Sequence, residues 1–404
     1  MFKHEASDLA VLGGPPLFDK RLYVGRPNVG RGLRDRLLGM VREILDSRWL
    51  SNNGPMVQRF ERRVAEIAGS EHCVAMCNAT AGLQVAIRAA RVTGEVIVPS
   101  FTFPGTAHAA SWLGLTPVFC DIDPATHNID PALIEDLITE RTTGILAVHL
   151  WGRPCAVDRI GEIAERRQLS VIYDAAHALG CTTGGRPIGG LGDASVYSFH
   201  ATKFVTAFEG GALVTNDAAL AERARAMTNF GLTGEHEVSW PGTNAKMSEV
   251  SAAMGLASLE AMAEIVAANR DNWVGYSAGL AGLPGVTVLG FAPDEQHNYQ
   301  YLVVEVDDRA PLDRDTLMRV LQAEKVMCRR YFYPGCHRLA AYPGTVSLPQ
   351  TDAAAARVLQ LPTGLDVGPD DVRRVCALVR FAFEHADEVR QGVATAREPA
   401  PVRG

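Results

Sequence analysis

The sequence contains no apolar run long enough to cross a bilayer. It has no excess of basic charge either: 39 Lys and Arg residues stand against 46 Asp and Glu residues, for a net charge of −7, so nothing indicates a nucleic-acid partner. The first residues carry early charges and lack the long apolar core of a signal peptide. These absences favour a cytoplasmic protein that binds neither membranes nor nucleic acids.

Two familiar ligand patterns are also missing. The eight cysteines are scattered, and no second Cys/His pair completes a zinc site with Cys73 and Cys77, so we expect reduced, mostly buried thiols and no metal. The glycines of residues 184–193 lack the G-x-G-x-x-G spacing before a helix, which argues against a Rossmann dehydrogenase. No internal repeat is visible, and 404 residues that are 47% hydrophobic can form more than one domain.

Short apolar runs alternate with helical patterns over the first half of the chain. The runs predict strands at residues 73–77, 95–100, 117–123, 144–150, 170–176, 194–199 and 211–216. Strands that alternate with helices indicate an α/β fold with a mostly parallel, seven-stranded sheet flanked by helices. Ligands of such sheets bind outside the carboxyl ends of the strands, so the residues that follow each strand are the candidates for chemistry.

The pattern changes after residue 255. A long helical stretch at 248–280 leads to a strand at 299–307 and a helix at 314–324, which predicts a smaller α+β domain. We therefore expect an N-terminal arm (1–30), a large domain (31–255), a small C-terminal domain (256–390) and a disordered tail (391–404).

Two of the strand ends suggest contacts to a phosphate and to a flat ring. In NATAGL (78–83) a strand meets a helix, where backbone N–H groups and the hydroxyl of Thr80 can bind an anion. Thr80 can equally be a plain N-cap. Phe103 follows the next strand and can stack on a planar cofactor, although an aromatic in this place is more often part of the core.

Two further strand ends supply a carboxylate and an amine. Asp174 ends a strand and can pair with a cationic ring nitrogen, with His177 three residues on; an N-cap and a local hydrogen bond explain them equally well. Ser198 adds a hydroxyl, and Lys203 is either an exposed loop residue or a desolvated nucleophile. Together these ends describe one ligand, pyridoxal 5′-phosphate (PLP), with Lys203 as its Schiff-base amine and Asp174 at its ring nitrogen.

The chain resembles the DegT/DnrJ/EryC1/StrS family of sugar aminotransferases, which have the fold type I architecture of PLP enzymes. The resemblance covers nearly the whole chain and rests on NNGPMVQRFE, VIVPSFTFPGTAHA, PVFCDIDPATHNID, ILAVHLWGRP, DAAHALG, SFHATK, EGGALVTND and GTNAKMSEVSAAMG. It implies that His177 lies beside the phenolic oxygen of PLP and that Phe103 stacks on the ring. It assigns the phosphate to Ala79, Thr80 and Ser198, and to Asn244 of a neighbouring subunit, which implies a homodimer with shared sites.

Three positions depart from the family pattern. Ala79 stands where glycine is usual, Phe208 replaces a glycine before Glu209, and Lys246 occupies a common arginine position. Ala79 keeps its backbone N–H, so we expect little effect there. Phe208 can reshape the loop that follows Lys203.

The resemblance implies transfer of an amino group from glutamate to a nucleotide-linked keto sugar. The pattern is most similar to enzymes that act on C4 of dTDP-4-keto-6-deoxyglucose, while a C3 keto sugar, a keto-cyclitol or a PLP-binding regulator without turnover remain alternatives. Candidate substrate residues are His149, Trp151, Gln300, Arg329, Arg330 and Tyr331. In CRRYFYPGCHRL (328–339) an arginine can bind a diphosphate, and a tyrosine can contact a base or sugar. Alternatively, the two arginines are solvated and the aromatics belong to the core.

Overall fold

A seven-stranded sheet lies at the centre of the computed structural model, which describes residues 3–395. The strands are β1 (His72–Met76), β2 (Glu95–Pro99), β3 (Thr116–Cys120), β4 (Thr142–Val148), β5 (Ser170–Asp174), β6 (Ala194–Ser198) and β7 (Gly211–Thr215). Their order across the sheet is β3-β2-β4-β5-β6-β7-β1. Strand β7 is antiparallel to both of its neighbours, whereas the other pairs are parallel. The prediction of an α/β fold with a mostly parallel, seven-stranded sheet is confirmed.

Helices pack on both faces of the sheet because alternate strand residues point to opposite sides. The helices are α1 (Arg31–Ser47), α2 (Pro55–Ala68), α3 (Ala79–Ala89), α4 (Pro104–Trp112), α5 (Pro131–Ile134), α6 (Val157–Arg167), α7 (Ala218–Thr228) and α8 (Glu249–Glu260). Helices α3, α4 and α7 share a buried apolar cluster with one face of the sheet. Helices α1, α2 and α8 share another with the opposite face.

The rest of the chain forms a C-terminal unit, by which we mean residues 262–395. It comprises α9 (Met262–Leu280), β8 (Val286–Val288), β9 (Leu302–Val306), α10 (Arg314–Ala323), α11 (Pro349–Arg357), β10 (Val358–Leu361), α12 (Pro369–Glu384) and α13 (Ala386–Thr395). Its sheet has the order β8-β9-β10 and is antiparallel. Leu9, Phe18 and Leu22 from the start of the chain pack into its core, so the N-terminal segment is docked on this unit.

Helix boundaries differ from the expected ones at two places. The single helical stretch expected at 248–280 is broken at Ala261, where α8 and α9 meet at a bend of 57°. Helix α8 crosses residue 255 and packs with the large sheet through Leu256 and Leu259. Helix α13 continues to Thr395, so residues 391–395 are helical rather than part of a disordered tail, and residues 396–404 lie outside the described residues.

Within residues 3–395, no single helix is both long and apolar enough to cross a membrane, and α8 with α9 meets that test only as a bent pair.

Candidate active site

Lys203 lies in the loop after β6, and its side chain meets the C-terminal unit. The Lys203 Nζ donates a hydrogen bond to the hydroxyl of Tyr301, at 2.9 Å, immediately before β9. The neighbouring backbone N–H of Phe204 donates to Oε1 of Gln300, at 3.4 Å. Tyr301 and Gln300 are both buried, at 6% and 7% exposure. The amine is therefore held between the two parts of the molecule and not extended into solvent.

Asp174 is a buried carboxylate at the end of β5. Its Oδ2 accepts a hydrogen bond from the Thr106 hydroxyl at 2.7 Å, and its Oδ1 accepts one from the backbone N–H of Ala176 at 3.1 Å. Burial raises the pKa of Asp174, although these two donors and the ammonium of Lys203 oppose that rise. A buried carboxylate that is costly to ionise alone is suited to pair with a cationic group of a ligand.

His177 follows Asp174 closely and is buried on all sides. Its Nδ1 accepts a hydrogen bond from the backbone N–H of Trp151, at 3.3 Å. The edge of Tyr301 lies against the ring, with centroids 4.6 Å apart, and Phe332 is parallel to it at 6.1 Å. Burial, together with the nearby Lys203 ammonium, lowers the pKa of His177 well below its usual range, so the ring is uncharged at neutral pH.

A helix start and two strand ends form one corner of the site. Ala79 and Thr80 are the first residues of α3, and the Asn78 side chain caps the helix by accepting the N–H of Ala81 at 2.8 Å. In the sheet, Gly211 pairs with Ser198. A Cβ at Gly211 would lie 2.5 Å from the Asn78 carbonyl, so glycine is needed for this close approach. The first turn of a helix binds anions through its N–H groups, which matches the phosphate position expected for these residues.

Phe103 and Thr80 both lie close to Gly105. A Cβ at Gly105 would be 3.2 Å from the Phe103 ring and 3.3 Å from Oγ1 of Thr80. Phe103 is 55% exposed, which is unusual for a core aromatic and leaves its ring available to a ligand. The residues expected to stack on the PLP ring and to bind its phosphate are therefore neighbours.

The loop that carries Phe103 is fixed from the C-terminal unit by a contact between Ser100 and His337. The Ser100 hydroxyl lies 2.6 Å from Nδ1 of His337 and accepts the backbone N–H of His337 at 3.0 Å. The backbone N–H of Cys336 donates to the Ser100 carbonyl at 2.8 Å. His337 also faces Asp352, at 3.2 Å, but Ser100 is completely buried, so this Ser-His-Asp arrangement is structural and not a nucleophilic triad.

Two of the candidate substrate residues are internal. His149 is fully buried, accepts the N–H of Cys155 at 3.1 Å and stacks on Tyr173 at 4.6 Å, and burial lowers its pKa to about 3. Because Tyr173 and Asp174 point to opposite faces of the sheet, His149 lies on the face away from Asp174. Trp151 is 1% exposed and packs against Phe332 and His177 rather than lining an open pocket.

The other candidates lie near the site or on the surface beyond it. The Gln300 Nε2 is buried and has no hydrogen-bond partner within residues 3–395. Arg329 donates to the Tyr331 hydroxyl at 3.0 Å, so these two side chains form a pair. Arg330 is exposed, contacts Asp315 at 3.3 Å and lies 4.5 Å above the Tyr333 ring.

Asn244 is exposed, and its backbone forms a bridge to Asn229. Lys246, two residues on, donates to the Asn229 side chain at 2.9 Å, so the common arginine position is filled by a cation with a local partner. Phe208 is 48% exposed with φ +62°, the left-handed conformation that a glycine adopts readily. The glycine usual at this position in the family is therefore explained by the backbone, and Phe208 adopts the same turn at some cost.

Three residues of the site were not identified from the sequence: Thr106, Tyr301 and Phe332. Thr106 holds Asp174, Tyr301 holds Lys203, and Phe332 packs beside His177. Thr106 lies three residues after Phe103, so its place one turn into α4 was a usable signal. Tyr301 and Phe332 are distant in sequence and read as ordinary core aromatics, so only the tertiary structure identifies them.

The residues present fit PLP. The start of α3, where Gly211 leaves room because it has no side chain, suits the phosphate. The exposed ring of Phe103 suits a flat ring, and the buried carboxylate of Asp174 suits a protonated ring nitrogen. Lys203 supplies the amine, and the Nε2 of Gln300, which has no partner among the described residues, gives the site further hydrogen-bonding capacity.

The family model for DegT/DnrJ/EryC1/StrS aminotransferases matches residues 33–380. The dTDP-4-amino-4,6-dideoxy-D-glucose transaminase of Escherichia coli is 35% identical over 89% of this chain and 98% of its own length. GDP-perosamine synthase of Caulobacter vibrioides is 36% identical over 88% of this chain and 97% of its own length. The structure of DesI with its TDP-sugar product is 52% identical, with a TM-score of 0.92, over 96% of this chain and 99% of DesI. The chain belongs to the DegT/DnrJ/EryC1/StrS aminotransferase family, whose members depend on PLP.

Proposed function

We propose that this enzyme transfers an amino group from L-glutamate to C4 of dTDP-4-keto-6-deoxyglucose. The similarity to DesI carries the proposal, because that structure contains a TDP-sugar product and matches 96% of this chain. The name of the Escherichia coli relative, a dTDP-4-amino-4,6-dideoxy-D-glucose transaminase, indicates the same carbon. The residues around Lys203 and Asp174 are those that such a transfer requires.

PLP, when bound, supplies an electron-withdrawing ring that stabilises negative charge on the carbon beside the reacting amine. Asp174 keeps the proton on the ring nitrogen, and the Thr106 hydroxyl holds the carboxylate in the ionised form this requires. Lys203 would hold the cofactor through its Nζ, and its free amine would take up and return a proton at that atom as general base and then general acid. The Tyr301 hydroxyl, 2.9 Å from Nζ, keeps the Lys203 amine close to that position.

The sugar nucleotide is assigned to groups near the junction with the C-terminal unit. The Gln300 Nε2, buried and without a partner within residues 3–395, is available to donate to a sugar oxygen. Arg330 is exposed and can bind the diphosphate, since guanidinium groups form paired hydrogen bonds with phosphates. Arg329 is already paired with Tyr331, and we assign that pair to the base or sugar.

The enzyme is further proposed to act as a homodimer with shared sites. Asn244 is exposed on a segment that is held by the Asn229 bridge, which suits a residue that reaches a neighbouring subunit. Phe230, adjacent to Asn229, is 53% exposed, and a cavity of about 230 Å³ beside this segment is lined by Asn229 and Lys246. Light scattering should give twice the monomer mass, and Asn244→Ala should weaken PLP binding without changing that mass.

The deciding experiment supplies the PLP-loaded enzyme and glutamate with matched keto sugars. The panel contains dTDP-4-keto, GDP-4-keto and dTDP-3-keto 6-deoxysugars, and NMR identifies the amine-bearing carbon of each product. We expect the dTDP-4-keto sugar to be preferred. Preference for the GDP-linked sugar would favour a GDP-4-keto sugar as the substrate, in line with the name of the Caulobacter vibrioides relative, GDP-perosamine synthase. Amination at C3 alone would overturn the proposal.

A matched variant separates turnover from cofactor binding alone. Lys203→Ala should fold, as judged by circular dichroism, and should form no amino sugar. Transamination retained by this variant would contradict the role of Lys203. A regulator would bind PLP but would not convert it to pyridoxamine phosphate on addition of glutamate, and the loss of visible absorbance distinguishes the two.

A further inference from the structure

Trp151 occupies a strained turn directly beside His177. Its φ is +61°, in the left-handed region, and the following Gly152 has φ +77°. This conformation is unfavourable for a residue with a side chain, so the surrounding structure must impose it. Trp151 is 1% exposed, and its ring is nearly parallel to Phe332 at 5.1 Å and to His177 at 6.1 Å.

The two N–H groups of Trp151 bind two different histidines. Its backbone N–H donates to Nδ1 of His177 at 3.3 Å, and its indole N–H donates to Nδ1 of His127 at 3.4 Å. The Nε2 of His127 in turn hydrogen-bonds the carboxylate of Glu305 on β9. Because a backbone or indole N–H can only donate, Nδ1 of each histidine must present a lone pair.

We propose that Trp151 is a positioning residue that fixes the ring proton of His177 on Nε2. The Nε2 of His177 can then act only as a hydrogen-bond donor to its neighbour. That neighbour is the phenolic oxygen of PLP if the proposed function holds, and the identity of this oxygen is the one part that rests on it. The Trp151 ring, packed against Phe332 and His177, holds in place the backbone N–H that His177 accepts.

The opposite tautomer is disfavoured by the same contacts. A proton on Nδ1 of His177 would leave the buried Trp151 N–H without an acceptor, a loss of about 1–3 kcal/mol, or roughly 5- to 160-fold in the tautomer ratio. The His177 backbone is fixed as well, because its carbonyl accepts from Asn298 at 2.8 Å. A Cβ at Gly152 would lie 3.0 Å from that carbonyl, so the turn packs tightly on His177.

The tautomer can be measured directly by long-range 1H–15N NMR on full-length enzyme labelled with 15N-histidine, without cofactor. The His177 signals are identified by their loss in His177→Gln. We expect a single, uncharged ring with its proton on Nε2 between pH 6 and 9. A proton on Nδ1, or a charged ring at neutral pH, would overturn the proposal. Because no PLP or sugar is present, a failure of the proposed function leaves this result unaffected.

Substitutions of Trp151 test the positioning role. Trp151→Gly accepts the left-handed turn but loses the ring, so we expect the His177 signals to split into two tautomers. Trp151→Phe keeps the ring but loses the indole N–H, and should disturb the signals of His127 only. Trp112→Gly is the control, since that tryptophan is 83% exposed, and it should change neither histidine. Unchanged His177 signals in folded Trp151→Gly would refute the positioning role.

The cofactor-loaded enzyme provides a second measurement. A donor on Nε2 of His177 stabilises negative charge on the phenolic oxygen of PLP. That negative charge increases when the Lys203 nitrogen bound to PLP loses its proton. In Trp151→Gly we expect the pH midpoint of the visible absorbance to rise by about one pH unit, the equivalent of a tenfold change. A midpoint for Trp151→Gly equal to that of Trp112→Gly would contradict the proposal.

Discussion

Replacing Thr106 by valine would remove one hydroxyl from beside Asp174 and keep the side-chain shape. That hydroxyl donates to the carboxylate at 2.7 Å, and Thr106 is 1% exposed, so water cannot replace the hydroxyl without rearrangement. The Thr102 hydroxyl lies 3.0 Å from the hydroxyl oxygen of Thr106. Since Thr106 donates to Asp174, Thr102 must be the donor in that second bond.

The magnitude follows from the charge on Asp174. Burial already raises the pKa of Asp174, and loss of the Thr106 donor should raise it further. A hydrogen bond to a charged group contributes about 1.5–3 kcal/mol, so the ionised form that PLP requires becomes less available by roughly that amount. We therefore expect Thr106→Val to weaken PLP binding by about 10- to 100-fold.

Titration of cofactor-free enzyme with PLP, followed by absorbance, measures this effect. Thr106→Ser keeps the hydroxyl and should bind PLP nearly as well as the wild type. Thr102→Val removes the second hydrogen bond but leaves the one to Asp174, so it should lower the melting temperature without changing PLP affinity. If folded Thr106→Val binds PLP like Thr102→Val, the charge of Asp174 does not govern cofactor affinity and the reasoning is wrong.

Three further predictions concern single side chains. Tyr301→Phe removes the acceptor for Lys203 and should lower kcat about tenfold, equivalent to ~1.4 kcal/mol, with PLP affinity retained; unchanged single-turnover rates would contradict this. Because burial lowers the pKa of His149 to about 3, its protonation opposes folding below its unfolded value of 6.5. Between pH 6.5 and 5 the wild type should lose about 2 kcal/mol more unfolding free energy than His149→Phe. Equal losses in the two proteins, measured by denaturant unfolding at both pH values, would exclude this effect. Phe208→Gly should change the unfolding free energy by less than about 1 kcal/mol, because relief of the left-handed turn offsets the added chain entropy of glycine, and a larger loss in urea unfolding would disprove that balance.

The sequence predicts the sheet well because its strands and helices carry strong local patterns. The sequence predicts Asp174 and Lys203 as site residues because parallel strands bring their carboxyl ends to one edge, a rule that needs no side-chain detail. The sequence does not show that His149 is buried against Tyr173. A shift of one residue along a strand end moves a side chain to the other face, and the apolar run at 144–150 does not show which face is which.

The remaining differences come from tertiary packing. No proline or glycine marks the break at Ala261, and alanine itself favours a continuous helix. The sequence pattern therefore does not show the break. Tyr301 and Phe332 reach the site only because the C-terminal unit folds back over the large sheet. The family resemblance makes Trp151 a candidate substrate residue, whereas a left-handed turn directs its side chain inward.

The Ser100–His337 contact and the Tyr301 hydroxyl both come from the C-terminal unit, yet they hold the Phe103 loop and the amine of Lys203. The large sheet is therefore not an interchangeable module for binding PLP. A chimera that exchanged C-terminal units between relatives to alter the choice of sugar would also exchange the groups that shape the cofactor site. Such grafts should be designed with Tyr301 and His337 retained from the parent that supplies the sheet.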